Sequence, residues 1–585
     1  MKYIFTLFIL SIYCLQTGYA AVVTINSTNK STYFDNNSKW KNTNTTNFAD
    51  GLSIEGIEAI FENVTLTFGP SAAFTIKSKN NIGAHIEMYG CVLSPMNGVV
   101  WKGVVLNGVS NKPQINTTNN SQYQTEQSRV FMLPYVNVGN GTNNRCLVEK
   151  AELGIEVNNG AMLRCTNSDF INCNQAVQFN AYDKKNLSLF KDCTFKWTNF
   201  MTSNRSVADW IVEDFDVDGD ISFGYEGDNI VDRPKTMVGL NNVYGITFLG
   251  GNEFINEITL AEIESTLNLN DYSTACPCNS ADIAVSSTCR GIGIYSVKSS
   301  FITLRGGPCY FPEDPNTTAY DPADGCVKCT GSQNQFYGLS FGVFAKDYNN
   351  KNSTVFLTGN LFENCATGIR TENAENHFIN RNEFFLDGRG SILYGDFGYH
   401  AGIWLMNPGA YDVADNLFDY DVKNGVNGLV YSSTLCMSGM ISVGLVVDNA
   451  GQSRGRSHRN TYNFMKISAG TNCGNPFVAE LYNGSNEIIH ITCNNYDVFS
   501  VNSGTSDDWR IANYKSFPAF TRKSNHSSYS GLHLPYSTKI NNEIDIAPHL
   551  STKISNQFMT HNDWYPLNQT NANNFSNITS TNASN

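Results

Sequence analysis

The sequence predicts an all-β fold, a parallel β-helix in which short strands stack in rungs. The first observation is an internal repeat within residues 352–386, with a shift of 22 residues. This shift superposes Phe356 on Phe378, Asn360 on Asn382 and Phe362 on Phe384. Apolar residues and asparagines that recur about every 20 to 25 residues are what stacked rungs require, because each rung presents the same inward set to the next.

The second observation is that the register continues after an insertion. Gly402 and Asn416 lie 34 residues beyond Gly368 and Asn382, so this rung carries extra residues in a loop at 387–400. Residues 170–177 reproduce residues 362–369, and weaker copies occur at 190–193, 252–256, 460–462 and 491–496. The repeat therefore covers most of the chain.

The third observation is the residue chemistry within one repeat. A strand alternates its side chains, so Val355 and Leu357 point to one face while Phe356 and Thr358 point to the other. Glycine and asparagine at the corners tolerate left-handed backbone conformations and allow sharp turns. Stacked asparagines are also expected to hydrogen-bond from rung to rung, as they do in other stacked sheets.

Composition limits the classes of partner. The chain has 585 residues, 41% of them apolar, and its formal net charge is -13. Nucleic acids and anionic membranes need a basic face on their partner, so neither is expected. The low charged fraction of 16% is typical of extracellular β-proteins and is compatible with sugar binding.

The order of segments follows from these patterns. Residues 1–20 are predicted to be a secretory signal peptide, with Lys2 before an apolar core and Gly18-Tyr19-Ala20 at the cleavage site. Residues 21–50 are predicted to be a polar lead-in or cap. The β-helix is assigned to 51–510, with insertions near 112–145, 265–335, 387–400 and 432–458. An irregular segment (511–567) and a low-complexity tail (568–585) follow. No later stretch is apolar enough to cross a membrane, so we expect a secreted or cell-surface protein.

The opening strands, the Trp101-Lys102-Gly103-Val104 segment and the Phe-x-Asn-Cys-x-x-Gly-Ile rungs at 362–369 carry a family resemblance. Over about three quarters of its length, the chain resembles the right-handed parallel β-helix repeat proteins secreted by Bacteroidota-type bacteria, within the pectate-lyase-like fold superfamily. The resemblance implies a right-handed coil. It places the chain among pectate lyases, polygalacturonases, other polysaccharide-degrading enzymes and non-catalytic adhesins. Many such proteins end in a sorting domain. The Asn, Ser and Thr tail here indicates either a fragment or a different export signal.

An acidic loop is the sharpest local motif. Asp214, Asp216, Asp218 and Asp220 alternate around Gly219, which is how a loop places several carboxylates around Ca²⁺. Tyr225 stands where the bidentate glutamate of a helix-flanked calcium loop would be. A calcium site and a solvated acidic loop are therefore the two interpretations.

Six cysteines crowd into one region: Cys276, Cys278, Cys289, Cys309, Cys326 and Cys329. In a secreted chain these are disulfide candidates, with zinc ligation as the alternative. Cys173, Cys193 and Cys365 occupy repeated positions beside aromatic residues and are predicted to be buried, unreactive thiols.

Catalytic candidates gather around the inserted loop. Asp396 and His400 lie on it, and Asp412 and Asp415 follow closely, so these four residues are the candidate catalytic group of a polysaccharide lyase or glycoside hydrolase. The alternative is a polar loop without chemistry. Four aromatic residues follow, for which we weigh sugar stacking against burial in the core: Trp404, Tyr411, Tyr420 and Tyr431.

The sequence favours a secreted, non-catalytic module that binds polysaccharide or cell-surface glycan. A polysaccharide-degrading enzyme with its cleft at the inserted loops is the alternative, and a structural rod is the third interpretation. Calcium at the acidic loop is the cofactor that the sequence predicts. Fold alone does not decide among these functions.

Overall fold

The structure is a computed structural model, which describes residues 21–42, 45–98, 100–114, 126–136, 143–198, 236–257, 291–306, 331–347, 353–365, 367–386, 399–419, 441–448, 450–464, 477–483, 486–492, 495–498, 511–514 and 532–533. The chain divides into two compact units, residues 1–178 and 179–585. Each unit is a right-handed parallel β-helix, as predicted, and its rungs contribute one strand to each of three sheets.

In the first unit, the first sheet contains Val23–Ile25, Gly51–Glu55, Ala73–Lys77, Trp101–Asn107, Ala151–Asn158 and Gln175–Phe179. The second sheet contains Glu58–Glu62, His85–Tyr89, Arg129–Leu133 and Met162–Thr166. The third sheet contains Thr46–Phe48, Thr65–Phe68, Val92–Pro95, Cys146–Glu149 and Ser168–Ile171. Outside the three sheets lie a helix at Lys30–Tyr33, a 3-10 turn at Met96–Gly98, and the antiparallel pair Tyr135–Val136 and Asn143–Asn144.

In the second unit, the first sheet contains Thr236–Asn241, Ile292–Val297, Phe341–Lys346, Thr367–Glu372, Tyr399–Met406, Ile441–Asp448, Phe477–Asn483 and Ile511–Tyr514. The second sheet contains Leu189–Lys191, Tyr244–Leu249, Ser300–Leu304, Thr354–Thr358, Asn376–Asn380, Ala410–Ala414, Gly451–His458 and Asn486–Thr492. The third sheet contains Thr194–Trp197, Glu253–Asn256, Asn334–Tyr337, Asn360–Glu363, Glu383–Phe385, Leu417–Asp419, Thr461–Phe464, Asn495–Val498 and the antiparallel Leu532–His533.

The predicted register is confirmed. Phe356 pairs with Phe378 across parallel strands, which is the 22-residue shift. Ile369 pairs with Ile403, which is the 34-residue shift. Val355 is buried in the core while its neighbour Phe356 points outward, because a strand alternates its side chains between two faces.

A column of aromatic rings fills the core of the second unit. One ring per rung stacks on the next at 4.6 to 4.9 Å between centroids, in the order Phe254, Phe336, Phe362, Phe384, Phe418 and Tyr462. Gly368 of the first sheet faces this column, where a Cβ atom would lie 2.7 Å from the Phe384 ring. The repeated glycine thus makes room for the repeated phenylalanine.

The predicted asparagine ladder is also present. Buried side chains bond from rung to rung at the corner that leads into the third sheet, with amide-to-oxygen distances of 2.7 to 3.0 Å. The ladder consists of Asn252, Asn334, Asn360, Asn382, Asn416 and Asn460. It satisfies polar groups that the corner would otherwise leave buried without a partner.

Strands lie inside three of the predicted insertions. Arg129–Leu133 lies within 112–145, and Ile292–Val297 with Ser300–Leu304 lies within 265–335. The insertion near 432–458 contains the strands Ile441–Asp448 and Gly451–His458. The last of these, Gly-Gln-Ser-Arg-Gly-Arg-Ser-His, has no apolar residue to mark an inward face. Its core positions are filled by Gly455 and Ser457 instead.

Strands also extend beyond the predicted ends of the β-helix. Val23–Ile25 pairs with Leu52 to Ile54, inside the stretch assigned to a lead-in or cap. Trp40 packs on Phe61 at 5.3 Å between ring centroids, so this stretch covers the apolar end of the first rung. At the other end, Ile511–Tyr514 pairs with the preceding first-sheet strand, within the segment predicted to be irregular.

Candidate functional site

Most residues singled out in the sequence lie outside the described residues. This applies to Asp396, to the acidic loop of Asp214, Asp216, Asp218 and Asp220, and to Cys276, Cys278, Cys289, Cys309, Cys326 and Cys329. Calcium binding and disulfides in these segments therefore stay predictions. His400 is described by its backbone alone, in the first sheet opposite Ser442. Asp412 and Asp415 are described in full, on the second sheet and at its corner.

Asp412 is the centre of a charged group on the outer face of the second sheet. It lies opposite Arg456 in the register of parallel strands, and Arg456 Nη2 donates to Asp412 Oδ2 over 2.5 Å. The other carboxylate oxygen lies 2.7 Å from His458 Nε2. His458 stands two residues beyond Arg456, on the same outward face of its strand. One carboxylate therefore orients both a guanidinium and an imidazole.

A second ion pair adjoins this group at the corner of the same two rungs. Arg459 donates from Nε and Nη2 to the two oxygens of Asp415 over 2.6 and 2.8 Å. Both residues have left-handed backbone angles, with φ of 57° at Asp415 and 54° at Arg459. The bidentate geometry fixes the planes of both side chains.

The electrostatics hold Asp412 in its ionised form. Burial by itself raises the pKa of this carboxyl, but hydrogen bonds and charge from His458 and Arg456 outweigh burial and hold the pKa below its usual range. An ionised carboxylate whose two oxygens are both engaged accepts hydrogen bonds and has no proton to donate. Asp412 is therefore suited to binding polar groups and to orienting its two neighbours.

An apolar surface continues from the charged group along the same outward face. Ile302, Phe356, Phe378 and Asp412 follow one another in register on successive rungs. Phe378 is 40% exposed and Ile302 is 36% exposed. The Phe356 and Phe378 rings lie 5.9 Å apart. We call this surface the outer stripe, and it consists of Ile302, Phe356, Phe378, Asp412, Arg456 and His458.

The aromatic residues weighed for sugar stacking lie elsewhere. Trp404 is buried, donates from Nε1 to Asp448 over 2.6 Å and packs under the Arg370 guanidinium. Tyr411 is buried in the core, and burial raises the pKa of its hydroxyl well above the usual value. Stacking by these two side chains was the wrong alternative, and Tyr420 and Tyr431 lie outside the described residues. The sequence signal for Phe356 and Phe378 was their outward place in the strand alternation.

A second cluster lies on the outer face of the first sheet and is buried. Arg370 donates to Glu372 over 3.0 Å, and Lys346 lies 3.3 Å from the same carboxylate. Trp404 and Asp448 stand on the two following strands. Clusters of buried ionised groups occur both at functional sites and in structural ion-pair networks.

The described ranges can also be searched for a metal site and for a membrane-spanning helix. No three His, Cys, Asp or Glu side chains there lie close enough together to hold a metal ion. Over the same ranges, no helix has the length and apolar character needed to span a bilayer.

Comparison with known proteins adds no relative, since neither a family model nor a curated protein matches the chain. The fold and the site together define a class: a right-handed parallel β-helix with an outward stripe in which an exposed aromatic ring adjoins an ordered group of charged side chains.

Proposed function

We propose that the protein is a secreted, non-catalytic β-helix module that binds a polysaccharide or cell-surface glycan through the outer stripe. The observation that carries the proposal is the exposed Phe378 ring, which stands one rung from the hydrogen-bonded Asp412, Arg456 and His458 group. Secretion rests on the predicted signal peptide at residues 1–20.

The chemistry of the stripe suits a sugar chain. The apolar face of a pyranose ring packs on an aromatic face, and its hydroxyl groups need donors and acceptors at the rim of that contact. Phe356 and Phe378 supply the apolar surface. Arg456, whose side chain is 57% exposed, supplies donors, and Asp412 supplies an acceptor. Because rungs repeat about every 4.8 Å, the stripe presents these groups in a line that follows an extended polymer.

Binding is favoured over turnover by the state of Asp412. Glycoside hydrolysis needs one carboxyl with a raised pKa to protonate the leaving group. The pKa of Asp412 is instead lowered by its neighbours. Asp415 is also held in a bidentate ion pair. These two carboxylates therefore support recognition.

A polysaccharide-degrading enzyme is the second candidate, and the buried cluster on the first sheet favours it. His400 belongs to the strand Tyr399–Met406, which also carries Trp404 of that cluster. This candidate places the reaction at the first sheet, with Asp396 and His400 as the acting residues. In this candidate Asp412 and Asp415 take no part in the reaction, because they lie on the second sheet and at its corner.

The test is a panel of neutral and acidic polysaccharides on which both retention and product release are measured. We expect retention without product. Phe378→Ala is expected to weaken binding at least about tenfold, since a central aromatic contact dominates the energy of a small interface. Arg456→Ala is expected to weaken binding as well, because it removes donors from the rim.

Tyr244→Ala is the matched control. Tyr244 is an aromatic side chain on the second sheet with 43% exposure, and it lies outside the outer stripe. Its loss is expected to leave binding unchanged. Release of oligosaccharides that Asp396→Ala or His400→Ala abolishes would support the enzyme. If wild type and Phe378→Ala are retained equally, the outer stripe is not the binding site. If the panel shows neither retention nor product, a structural role is favoured.

A further inference from the structure

Two buried thiols of the first unit, Cys91 and Cys146, lie in register on neighbouring rungs. Each stands at the corner where the second sheet leads into the third, and the adjoining residues Val92 and Leu147 pair directly. The backbone N–H of Cys91 donates to Sγ of Cys146 over 3.4 Å, although 55 residues separate the two. Both thiols are free. The fold therefore brings together two sulfur atoms that the sequence keeps far apart.

The two side chains are seated in the same way. Sγ of Cys91 lies 3.3 Å from the carbonyl oxygen of Phe61, and Sγ of Cys146 lies 3.3 Å from that of Met88. Paired residues of neighbouring parallel strands stand about 5 Å apart. A disulfide spans Cα separations of about 4.4 to 6.8 Å, and the spacing of neighbouring rungs lies within that range.

The two thiols differ in their surroundings. Sγ of Cys146 accepts the backbone N–H of Cys91 over 3.4 Å, and a hydrogen bond of this kind stabilises a thiolate. Because the thiolate is the nucleophile in thiol–disulfide exchange, Cys146 is the attacking sulfur and Cys91 is the resolving one.

We propose that Cys91 and Cys146 form a reversible dithiol–disulfide pair that joins two rungs of the first unit. The oxidant is a low-molecular-weight disulfide of the glutathione class. The Cys146 thiolate attacks one sulfur of that disulfide, which breaks its S–S bond, releases a thiolate and leaves a mixed disulfide. Cys91 then gives up its proton, attacks the Cys146 sulfur and releases the second thiol. The protein loses two electrons and two protons, and the oxidant gains them as two thiols.

The bond would close a loop of the chain between residues 91 and 146. Residues 91–146 contain the strand Arg129–Leu133 and the antiparallel pair Tyr135–Val136 and Asn143–Asn144. Closing so long a loop removes conformational freedom from the unfolded chain. Oxidation is therefore expected to raise the Tm of the first unit by about 5 to 10 °C.

The test uses the full chain in glutathione redox buffers that contain urea just below the unfolding transition, so that buried thiols open and reclose until they reach equilibrium. Remaining thiols are alkylated and the peptides are mapped by mass spectrometry. The expected result is a peptide in which a disulfide joins Cys91 to Cys146, together with the higher Tm in the oxidised protein.

Three serine variants sharpen the result. Cys91→Ser and Cys146→Ser are each expected to lose the cross-link and its share of the Tm shift. Cys165→Ser, which changes another buried thiol of the same unit, is expected to keep both. Recovery of Cys91 and Cys146 as alkylated thiols from wild type in fully oxidising buffer would overturn the proposal. That peptide map decides the question even if a serine variant does not fold.

Discussion

The corner between the second and third sheets is built differently in the two units. In the second unit, Cys193 stands at this corner on one rung, and one buried asparagine per rung fills it from Asn252 to Asn460. In the first unit, the same corner holds Cys91, Cys146 and Ser168 on three successive rungs. The asparagines and the two cysteines meet the same requirement, because their side chains bond the backbone of the preceding rung from inside the core.

The contacts show how far a thiol replaces an amide. Oδ1 of Asn416 accepts from the backbone N–H and from Nδ2 of Asn382, both over 3.0 Å, while Nδ2 of Asn416 donates to Ile379 over 2.9 Å. Sγ of Cys146 accepts the backbone N–H of Cys91 over 3.4 Å and lies 3.3 Å from the Met88 oxygen. Sulfur is a weaker donor and acceptor than an amide. The hydrogen bonds of the asparagine ladder are therefore stronger than those of Cys91 and Cys146, but only the two cysteines can be changed by oxidation.

The largest effect is expected when one asparagine of the ladder is removed. Asn382→Ala takes the acceptor from the backbone N–H of Asn360 and the donor from the carbonyl of Leu357. Each buried group left without a partner costs about 1–3 kcal/mol, so the free energy of unfolding of the second unit should fall by about 3–5 kcal/mol. Urea unfolding measures this loss. Asn376→Ala, at a half-buried site outside the ladder, is the control, and equal losses in the two variants would contradict the role of the ladder.

A buried histidine should make the second unit sensitive to acid. Burial lowers the pKa of His377 to about 4, and its Nδ1 lies 3.4 Å from the Ala410 oxygen. The unfolded chain takes up a proton near pH 6.5, before the folded chain does, so stability is full above pH 6.5 and falls as the pH drops towards 4. The loss amounts to about 3 kcal/mol.

Unfolding curves of wild type and His377→Leu between pH 7 and pH 4 test this dependence. The variant is expected to lose less stability than wild type over that range, because it carries no imidazole to protonate in the unfolded state. Identical slopes of stability against pH would show that another group controls the acid response of the second unit.

The smallest effect is expected when a thiol replaces an amide. Asn382→Cys places a weak acceptor near the Asn360 N–H and a weak donor near the Leu357 carbonyl, which is the arrangement around Cys146. The expected loss in the free energy of unfolding is about 1–2 kcal/mol, smaller than for alanine. Urea unfolding under reducing conditions compares the two variants. A loss as large as that of Asn382→Ala would mean that the thiols of the first unit do not serve the corner as the asparagines do.

The asparagine ladder could be predicted from the sequence, whereas the stacking of Cys91, Cys146 and Ser168 could not. Asn360 and Asn382 repeat at 22 residues beside Phe362 and Phe384, so period and residue type coincide. Cys91 and Cys146 are 55 residues apart, since the intervening rung is long, and Ser168 continues the column with a different side chain. Because both the spacing and the residue type change from one rung to the next, the sequence shows no repeat at these positions.

Prediction of the candidate site from sequence met the same limits. The alternation of residues 355–358 placed Phe356 outward, but sequence could not measure how much of Phe378 stays exposed. Asp412 was singled out as an acid near the inserted loop. Its partners Arg456 and His458 lie 44 and 46 residues further on, in a strand without apolar residues. Only the stacking of two rungs brings them together.

The most direct test of the central claim is covalent footprinting of the protein with and without the polysaccharide that it retains most strongly. Binding at the outer stripe predicts protection of the strands Asn376–Asn380 and Gly451–His458, at Phe378 and Arg456, with unchanged labelling at Tyr244. Protection centred on the strand Tyr399–Met406 of the first sheet, with none at Phe378, would contradict the account and place the glycan at the inserted loops instead.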